Sequence, residues 1–216
     1  MKSGIIALLC FSPLFLAAQN KNRMDVDKLR QARLDTMASL IRIETSDIVA
    51  DIGTGNGKNV VRLSKYFPAV KYYVEDIDST TCNRKNIRKM LTAFNPALSI
   101  DSFVITYGTP TATKLPKKYF TKVLMTAVVH EFDDRDQMLA DIKSILTSNG
   151  LLFIEEPFVR VPGKKDKGCN NPYLTENAFR EILARNGIRI LEEKNIPDGG
   201  DTRRFRKIYK CDIEKS

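Results

Sequence analysis

The stretch Val49-Ala50-Asp51-Ile52-Gly53-Thr54-Gly55-Asn56-Gly57-Lys58-Asn59-Val60-Val61 decides the fold. It reads as a short buried strand ending in a carboxylate, then a glycine-rich turn, then the start of a helix. Glycines at alternate positions keep side chains away from whatever lies against the backbone, and they reach positive φ without a Cβ penalty. A turn of this kind presents backbone N–H groups to a polar or anionic part of a ligand.

Working outward, strand and helix patterns alternate. Met24 to Arg42 carries apolar residues at helical spacing (Val26, Leu29, Met37, Leu40, Ile41). The first strand spans Asp47 to Asp51. Val60, Leu63 and Phe67 mark a helix stopped by Pro68. Val70 to Asp76 is a second strand. Ser79 or Thr80 caps a helix with Ile87, Met90, Leu91 and Phe94. Ser102 to Thr106 is a third strand. Thr121 to Val129 is a fourth, apolar throughout as in a buried parallel sheet. Asp133 or Asp134 caps a helix closed by Asn149-Gly150. Leu151 to Glu155 is a fifth strand, followed by a Pro-, Gly- and Lys-rich loop from Pro157 to Pro172. Thr175 caps a helix, and Ile188–Glu192 and Arg204–Cys211 are closing strands. The pattern is that of an α/β protein: a doubly wound, mostly parallel seven-stranded sheet with helices on both faces and ligands at the carboxyl ends of the strands.

At 216 residues the chain holds one good core. Apolar content of 43% and charged content of 28% exclude disordered and fibrous classes. The net charge of +9 admits an anionic substrate, a membrane surface or nucleic acid, or simply a solvated surface. Lys2, the apolar run Gly4–Leu16 and Ala17-Ala18-Gln19 have the layout of a signal peptide over residues 1–18. The run is shorter than the roughly 20 residues of a spanning helix. The expectation is an exported or membrane-tethered protein; the rivals are a cytoplasmic protein with a buried N-terminal helix, or a translation start further along. Cys10, Cys82, Cys169 and Cys211 form neither a disulfide framework nor a zinc spacing, so no metal is expected, although a Cys169–Cys211 bridge is open in an oxidising compartment.

The polar groups gather at strand ends: Asp51, Asp76, Thr109, His130, Glu155 and Glu156. Those ends converge on one crevice. An acid ending the second strand suits both hydroxyls of a ribose. Alternation sends only one of Glu75 and Asp76 toward the crevice. The glycine spacing fits neither a phosphate loop nor the dinucleotide fingerprint. A cationic nucleoside with no phosphates explains Asp51 as well.

DIGTGNG (Asp51–Gly57) resembles motif I of the class I S-adenosylmethionine-dependent methyltransferases. EDID (Glu75–Asp78), FTKVLMTAVVHEFDD (Phe120–Asp134) and ILTSNGLLFIEEP (Ile145–Pro157) are similar to that family's later segments, in order. The resemblance covers residues 24–212 and implies a single domain there with a Rossmann-like methyltransferase fold. It implies S-adenosyl-L-methionine as cofactor. Gly53, Thr54, Gly55 and Gly57 would line its methionine and ribose parts. Asp51 would sit near its amino group, Asp76 at the ribose, Ile77 on the adenine and Ala127 at the sulfonium. Thr109 stands where the family often has an acid for the adenine amine.

Methyl transfer needs alignment and a dry site, and a base only when the acceptor must lose a proton. His130, the sole histidine, stands at the end of the fourth strand as the candidate base. The expected acceptor is a small or lipid-like molecule. No Asn-Pro-Pro-Tyr segment follows the fourth strand, which argues against nucleic-acid bases. The basic loop Arg160–Gly168 suits an anionic acceptor or a lipid head group. The rival functions are a non-catalytic cofactor- or partner-binding protein of the same fold and a nucleic-acid methyltransferase.

Overall fold

The computed structural model describes residues 13–166, 168–197 and 204–214. A long helix α1 (Pro13–Ile41) leads into β1 (Val49–Ile52), α2 (Lys58–Leu63), β2 (Tyr72–Asp76), α3 (Arg84–Phe94), β3 (Phe103–Tyr107) and β4 (Phe120–Thr126). Then come α4 (Arg135–Ile145), β5 (Leu146–Val159), α5 (Glu176–Arg185), β6 (Ile188–Ile196) and β7 (Arg204–Ile213). Single 3-10 turns precede β3 (Ile100–Ser102) and follow β4 (Val129–Glu131).

The strands form one seven-stranded sheet in the order β3-β2-β1-β4-β5-β7-β6. The first five pair in parallel, and β7 runs antiparallel between β5 and β6. The order reverses between β1 and β4, which opens a crevice at their carboxyl ends. Alternation along β1 explains the two cores. Ala50 and Ile52 face α4 and α5, packing with Met138, Leu139, Ile142, Phe179 and Ile182. Val49 faces the other layer, where Leu40, Ile41, Val60, Val61, Ile87 and Leu91 join it from the first three helices. The doubly wound α/β architecture is therefore the observed one.

Several boundaries differ from the sequence reading. Asn149-Gly150 does not close a helix. The helix stops at Ile145, and Leu146 already pairs with Phe120. A register shift between Phe120 and Lys122 absorbs residues 147–150 as an irregularity inside β5. β5 then continues through Pro157 to Val159, because its partner β7 is long and the chain is buried there. The cap of α3 is Asn83, whose side chain accepts the Asn86 N–H, and neither Ser79 nor Thr80. Asp78 holds that earlier turn by accepting from both Thr80 and Thr81. Asp134 and Thr175 cap α4 and α5 as expected. On α1 the buried stripe includes Leu34, Met37, Leu40 and Ile41, while Leu29 is exposed.

Cys169 and Cys211 are both free thiols, the latter buried in the sheet, so no bridge joins them. Among the described residues no helix is long and apolar enough to cross a membrane. The first 12 residues of the signal-peptide reading lie outside the described residues, and residues 13–18 belong to α1.

Candidate functional site

A cavity of about 410 Å³ opens at the carboxyl ends of β1, β2 and β4. Its floor is the glycine turn. Gly53, Gly55 and Gly57 have φ of +65°, +58° and +78°, the left-handed region that glycine alone enters freely. Gly53 is required for space as well: a Cβ there would lie 2.3 Å from Val128 Cγ2. Gly57 is the N-cap of the short α2 and backs onto Ile87, away from the cavity.

Three N–H groups of this turn are already taken. Thr54 N–H donates to the Glu75 carbonyl at 3.0 Å and Gly57 N–H to the Thr54 carbonyl at 3.1 Å. Gly55 N–H donates to Asp76 Oδ2 at 2.7 Å. Those three bonds hold the turn closed, so these N–H groups do not form a phosphate cradle, and the donors that remain on this wall are Lys58, Asn56 and Asn59. The cavity is instead bordered by carboxylates, a field that favours a cationic ligand.

Asp76 ends β2 at the cavity wall, with Oδ1 accepting the Asp78 N–H at 2.9 Å. Glu75 lines the cavity as well, contrary to the expectation from alternation. It points to the opposite side of the strand, but Gly108 makes room for it: a Cβ on Gly108 would sit 2.0 Å from Glu75 Oε1. That oxygen is buried with no hydrogen-bond partner. Burial raises the Glu75 pKa to about 8; nearby Gly53 and Gly108 amides oppose this, and the Asp76 charge adds to it. Asp51 is buried beneath the turn and does not line the cavity. Its Oδ2 accepts the Thr54 hydroxyl at 2.6 Å. Burial lifts it to about 7 against that hydrogen bond, and Asp76 pushes in the same direction as burial.

Thr54 and Ile77 stand on the wall, Ile77 largely exposed beside the opening. Thr109 does not. Its N–H and hydroxyl both donate to the Ala112 carbonyl, at 2.7 and 3.3 Å, and the adjacent Pro110 occupies the wall. Ala127 closes the far side with φ +55°, a strained conformation for a residue with a Cβ. Its N–H donates to the Glu155 carbonyl at 2.7 Å, which anchors that strain to β5.

Beyond Ala127 the wall turns apolar, through Val128, Phe132 and Met138, with Glu131 among them. His130 is 2% exposed and lies behind this wall, not on it. Its Nδ1 pairs with Glu156, which is fully buried, and its ring sits 5.4 Å from that of Tyr173. Burial pulls its pKa down, but Glu156, Glu131 and Asp166 outweigh burial and hold it above the ordinary value. Buried behind the wall and tied to Glu156, the imidazole does not meet the cavity, and the carboxylates of this segment that do are Glu131 and Asp133. The expected pointing of His130 into the crevice fails because the 3-10 turn at Val129–Glu131 rotates it inward toward β5. Glu155 also faces inward and is neutralised by Arg33 at 2.7 Å and Arg206 at 2.9 Å, a structural role.

Gly53, Thr54, Gly55 and Asp76, which the sequence pattern singles out, line the cavity, as do Ile77 and Ala127, which only the family resemblance indicates; Gly57, Asp51, Thr109 and His130 do not. Glu75 was passed over because its room comes from Gly108 on another strand, and Glu156 was a weak candidate because its partner is 26 positions away.

A family model described as a methyltransferase domain matches residues 50–154. No curated protein matches the chain by sequence. Among solved structures, geranyl diphosphate C-methyltransferase from Streptomyces coelicolor A3(2), crystallised with Mg2+, geranyl diphosphate and S-adenosyl-L-homocysteine, superposes with a TM-score of 0.72 at 12% identity. That match covers 94% of this chain and 86% of the other. A SAM-dependent methyltransferase from Aquifex aeolicus gives 0.67 at 16%, covering 87% and 98%. The [4+2]-cyclase SpnF also gives 0.67, at 13%, covering 85% and 81%. At these identities the superpositions speak to the fold, which hosts more than one chemistry.

Proposed function

The chain belongs to the class I S-adenosylmethionine-dependent methyltransferases, and on that premise we propose that it methylates a small or lipid-like acceptor by in-line displacement. The methyl donor is S-adenosyl-L-methionine. The residues fit it. The glycine floor leaves room for a ligand against the backbone at Gly55, the Gly55 N–H is held by Asp76 and so is not offered to a phosphate, and Glu75, Asp76 and Glu131 border the cavity with carboxyl groups. When bound, the cofactor supplies a methyl carbon on a cationic sulfur that leaves as a neutral thioether.

In this reading Asp76 accepts the ribose hydroxyls, and Ile77 and Pro110 flank the adenine. Gly53, Thr54 and Gly55 carry the methionine portion, with Asp51 acting through the Thr54 hydroxyl. Ala127 borders the transferring methyl. The observation that carries the proposal is the cavity's two-part wall: carboxylates and glycines at one end, Val128, Phe132 and Met138 at the other. The second part is apolar and sheltered, as transfer in a water-poor site requires. A volume of about 410 Å³ suits a nucleoside and a modest acceptor side by side, and is small for a nucleic-acid duplex.

Glu131 is the wall group suited to meet the acceptor. His130 acts from behind as a positioning residue, fixed by Glu156. We also propose that residues 1–18 direct export. Mass spectrometry of the mature N-terminus tests this: a chain isolated from its host cytoplasm with Met1 intact overturns it.

The activity is tested by incubating the protein with labelled cofactor and fractionated host extract. The expected result is label in a small-molecule or lipid fraction, lost in Asp76→Ala. Label in nucleic acid alone would replace the acceptor class, and no cofactor binding by calorimetry would sink the reading.

A further inference from the structure

We propose that His130, Glu131 and Cys169 form a binding site for a Zn2+-class ion at the wall of the cavity. One ligand atom from each of these residues comes within 4.8 Å of the other two. Nothing in the spacing of the chain announces this, since Cys169 arrives from the loop after β5.

The decisive feature is His130 Nε2. The side chain is 2% exposed, and among the described residues this nitrogen has no hydrogen-bond partner. Leaving a buried polar atom unpaired costs about 1–3 kcal/mol, so native proteins rarely keep one without a reason. Its nearest charged neighbour, Glu131 Oε1, lies 3.8 Å away, too far for a hydrogen bond. That separation does suit two ligands of one ion. Bond lengths of about 2.0–2.3 Å in a tetrahedral zinc site put ligand atoms about 3.4–3.6 Å apart. A contraction of at most about 1.4 Å between any two of these atoms would complete the set. Glu131 is half-exposed on a one-turn helix and Cys169 half-buried on a loop, so both have room to make it.

The surroundings support the same assignment. Glu156 pairs with His130 Nδ1, which leaves the lone pair on Nε2 once that nitrogen is free of its proton; a carboxylate behind a ligating histidine is the usual outer partner in such sites. The loop that brings Cys169 is built, not loose. Asp166 accepts the N–H groups of Gly168 and Cys169, at 2.5 and 3.3 Å, and the Tyr173 hydroxyl; Tyr173 in turn packs on the His130 ring. The charged groups around the His130 ring include the carboxylates Glu131, Glu156 and Asp166, while the Arg135 guanidinium is tied to the Val129 and His130 carbonyls. One imidazole, one thiolate and one carboxylate select a borderline-soft ion such as Zn2+ over Mg2+ or Ca2+. Binding releases the thiol proton to solvent.

Three protein ligands leave a fourth position. Glu131 lines the cavity, so that position is open to a small ligand with an anionic oxygen or sulfur. This last step rests on the reading of the cavity's apolar end as the acceptor site; the ion site itself does not.

Co2+ titration of the untagged, chelator-treated full chain tests both. The expected result is one ion per chain, a thiolate-to-cobalt charge-transfer band, and visible bands of tetrahedral intensity. Cys169→Ala should abolish the charge-transfer band, Glu131→Gln and Glu156→Gln should weaken binding about 10-fold or more, and Cys82→Ala should change nothing. Circular dichroism and cofactor calorimetry on Cys169→Ala report its folding separately. No thiolate band, or one that survives Cys169→Ala, overturns the site. With the ion bound, thiophenol should shift the visible bands. If it does not, the open position falls while the ion site stands. A cobalt site in a protein that binds no S-adenosylmethionine would separate failure of the methyl-transfer reading from failure of this one.

Discussion

At one end of the cavity Gly53, Thr54 and Gly55 lie in a single turn, and Asp76 closes on it through a 2.7 Å bond to Gly55 N–H. At the other end Glu131, His130, Glu156 and Cys169 come from three separate segments and meet only in the folded chain. The first end is specified by backbone conformation: positive φ, no Cβ and a short range of sequence. The second is specified by side-chain contacts across the sheet. The difference teaches that the first end depends on its backbone and on the carboxyl groups of Asp51, Glu75 and Asp76 packed around it. The acceptor end hangs on a buried ion pair whose loss should disturb the fold before it touches the cofactor.

The largest expected effect is at the first end. With Asp76 in its proposed ribose-binding role, Asp76→Ala removes those charge-assisted bonds and frees the Gly55 N–H, so cofactor affinity should fall about 100-fold or more. Calorimetry checks this; an unchanged Kd would erase the distinction between the two ends. Next comes Glu156→Ala. Removing one member of a buried His–Glu pair costs about 3 kcal/mol. Melting should therefore drop by about 6–12 °C, while the cofactor Kd moves by less than about threefold. A parallel loss of cofactor binding would show the two ends to be coupled. Gly53→Ala should destabilise by about 2 kcal/mol, from overpacking against Val128 and a left-handed φ. Denaturant midpoints test it, and Val128→Ala should recover part of the loss by vacating the clash.

The smallest effect is a pH dependence. Asp51 and Glu75 have pKa values raised from 3.8 and 4.5 to about 7 and about 8, chiefly by burial. The folded chain keeps protons that the unfolded chain has shed, so their stabilisation is complete below about pH 4 and fades as pH rises through 7 and 8. Between pH 5 and pH 9 Asp51→Asn should lose less stability than the parent, by about 1 kcal/mol or more. Equal slopes in urea titrations at several pH values would contradict this. A cationic ligand draws both groups toward their charged forms, so its affinity should rise over the same range.

Much of this protein follows from local rules. The period of apolar residues gave the alternation of strand and helix, and β1 could be placed because a buried strand running into Gly-x-Gly-x-Gly has few other readings. Asp76 was legible because a strand-end acid after such a turn has one obvious direction to face. Ala127 was indicated only by the family resemblance of the segment after β4, which says nothing of its positive φ.

What local rules missed has a common cause. The stop at Ile145 depends on Leu146 pairing with Phe120, and the length of β5 depends on β7. Glu75 faces the cavity only because Gly108 on the neighbouring strand's end yields the space. His130 turns away from it only because Glu156 lies on β5 to receive its Nδ1. Cys169 reaches His130 only through the loop held by Asp166 and Tyr173.

The sequence by itself determined the alternation of strand and helix and the glycine turn, because these rest on apolar period and on the backbone freedom of a few consecutive residues. The tertiary structure alone decided which acids are buried, which way His130 points and which groups meet at the acceptor end. Burial and contact are relations between distant segments, and their energies exist only once the sheet has brought those segments together.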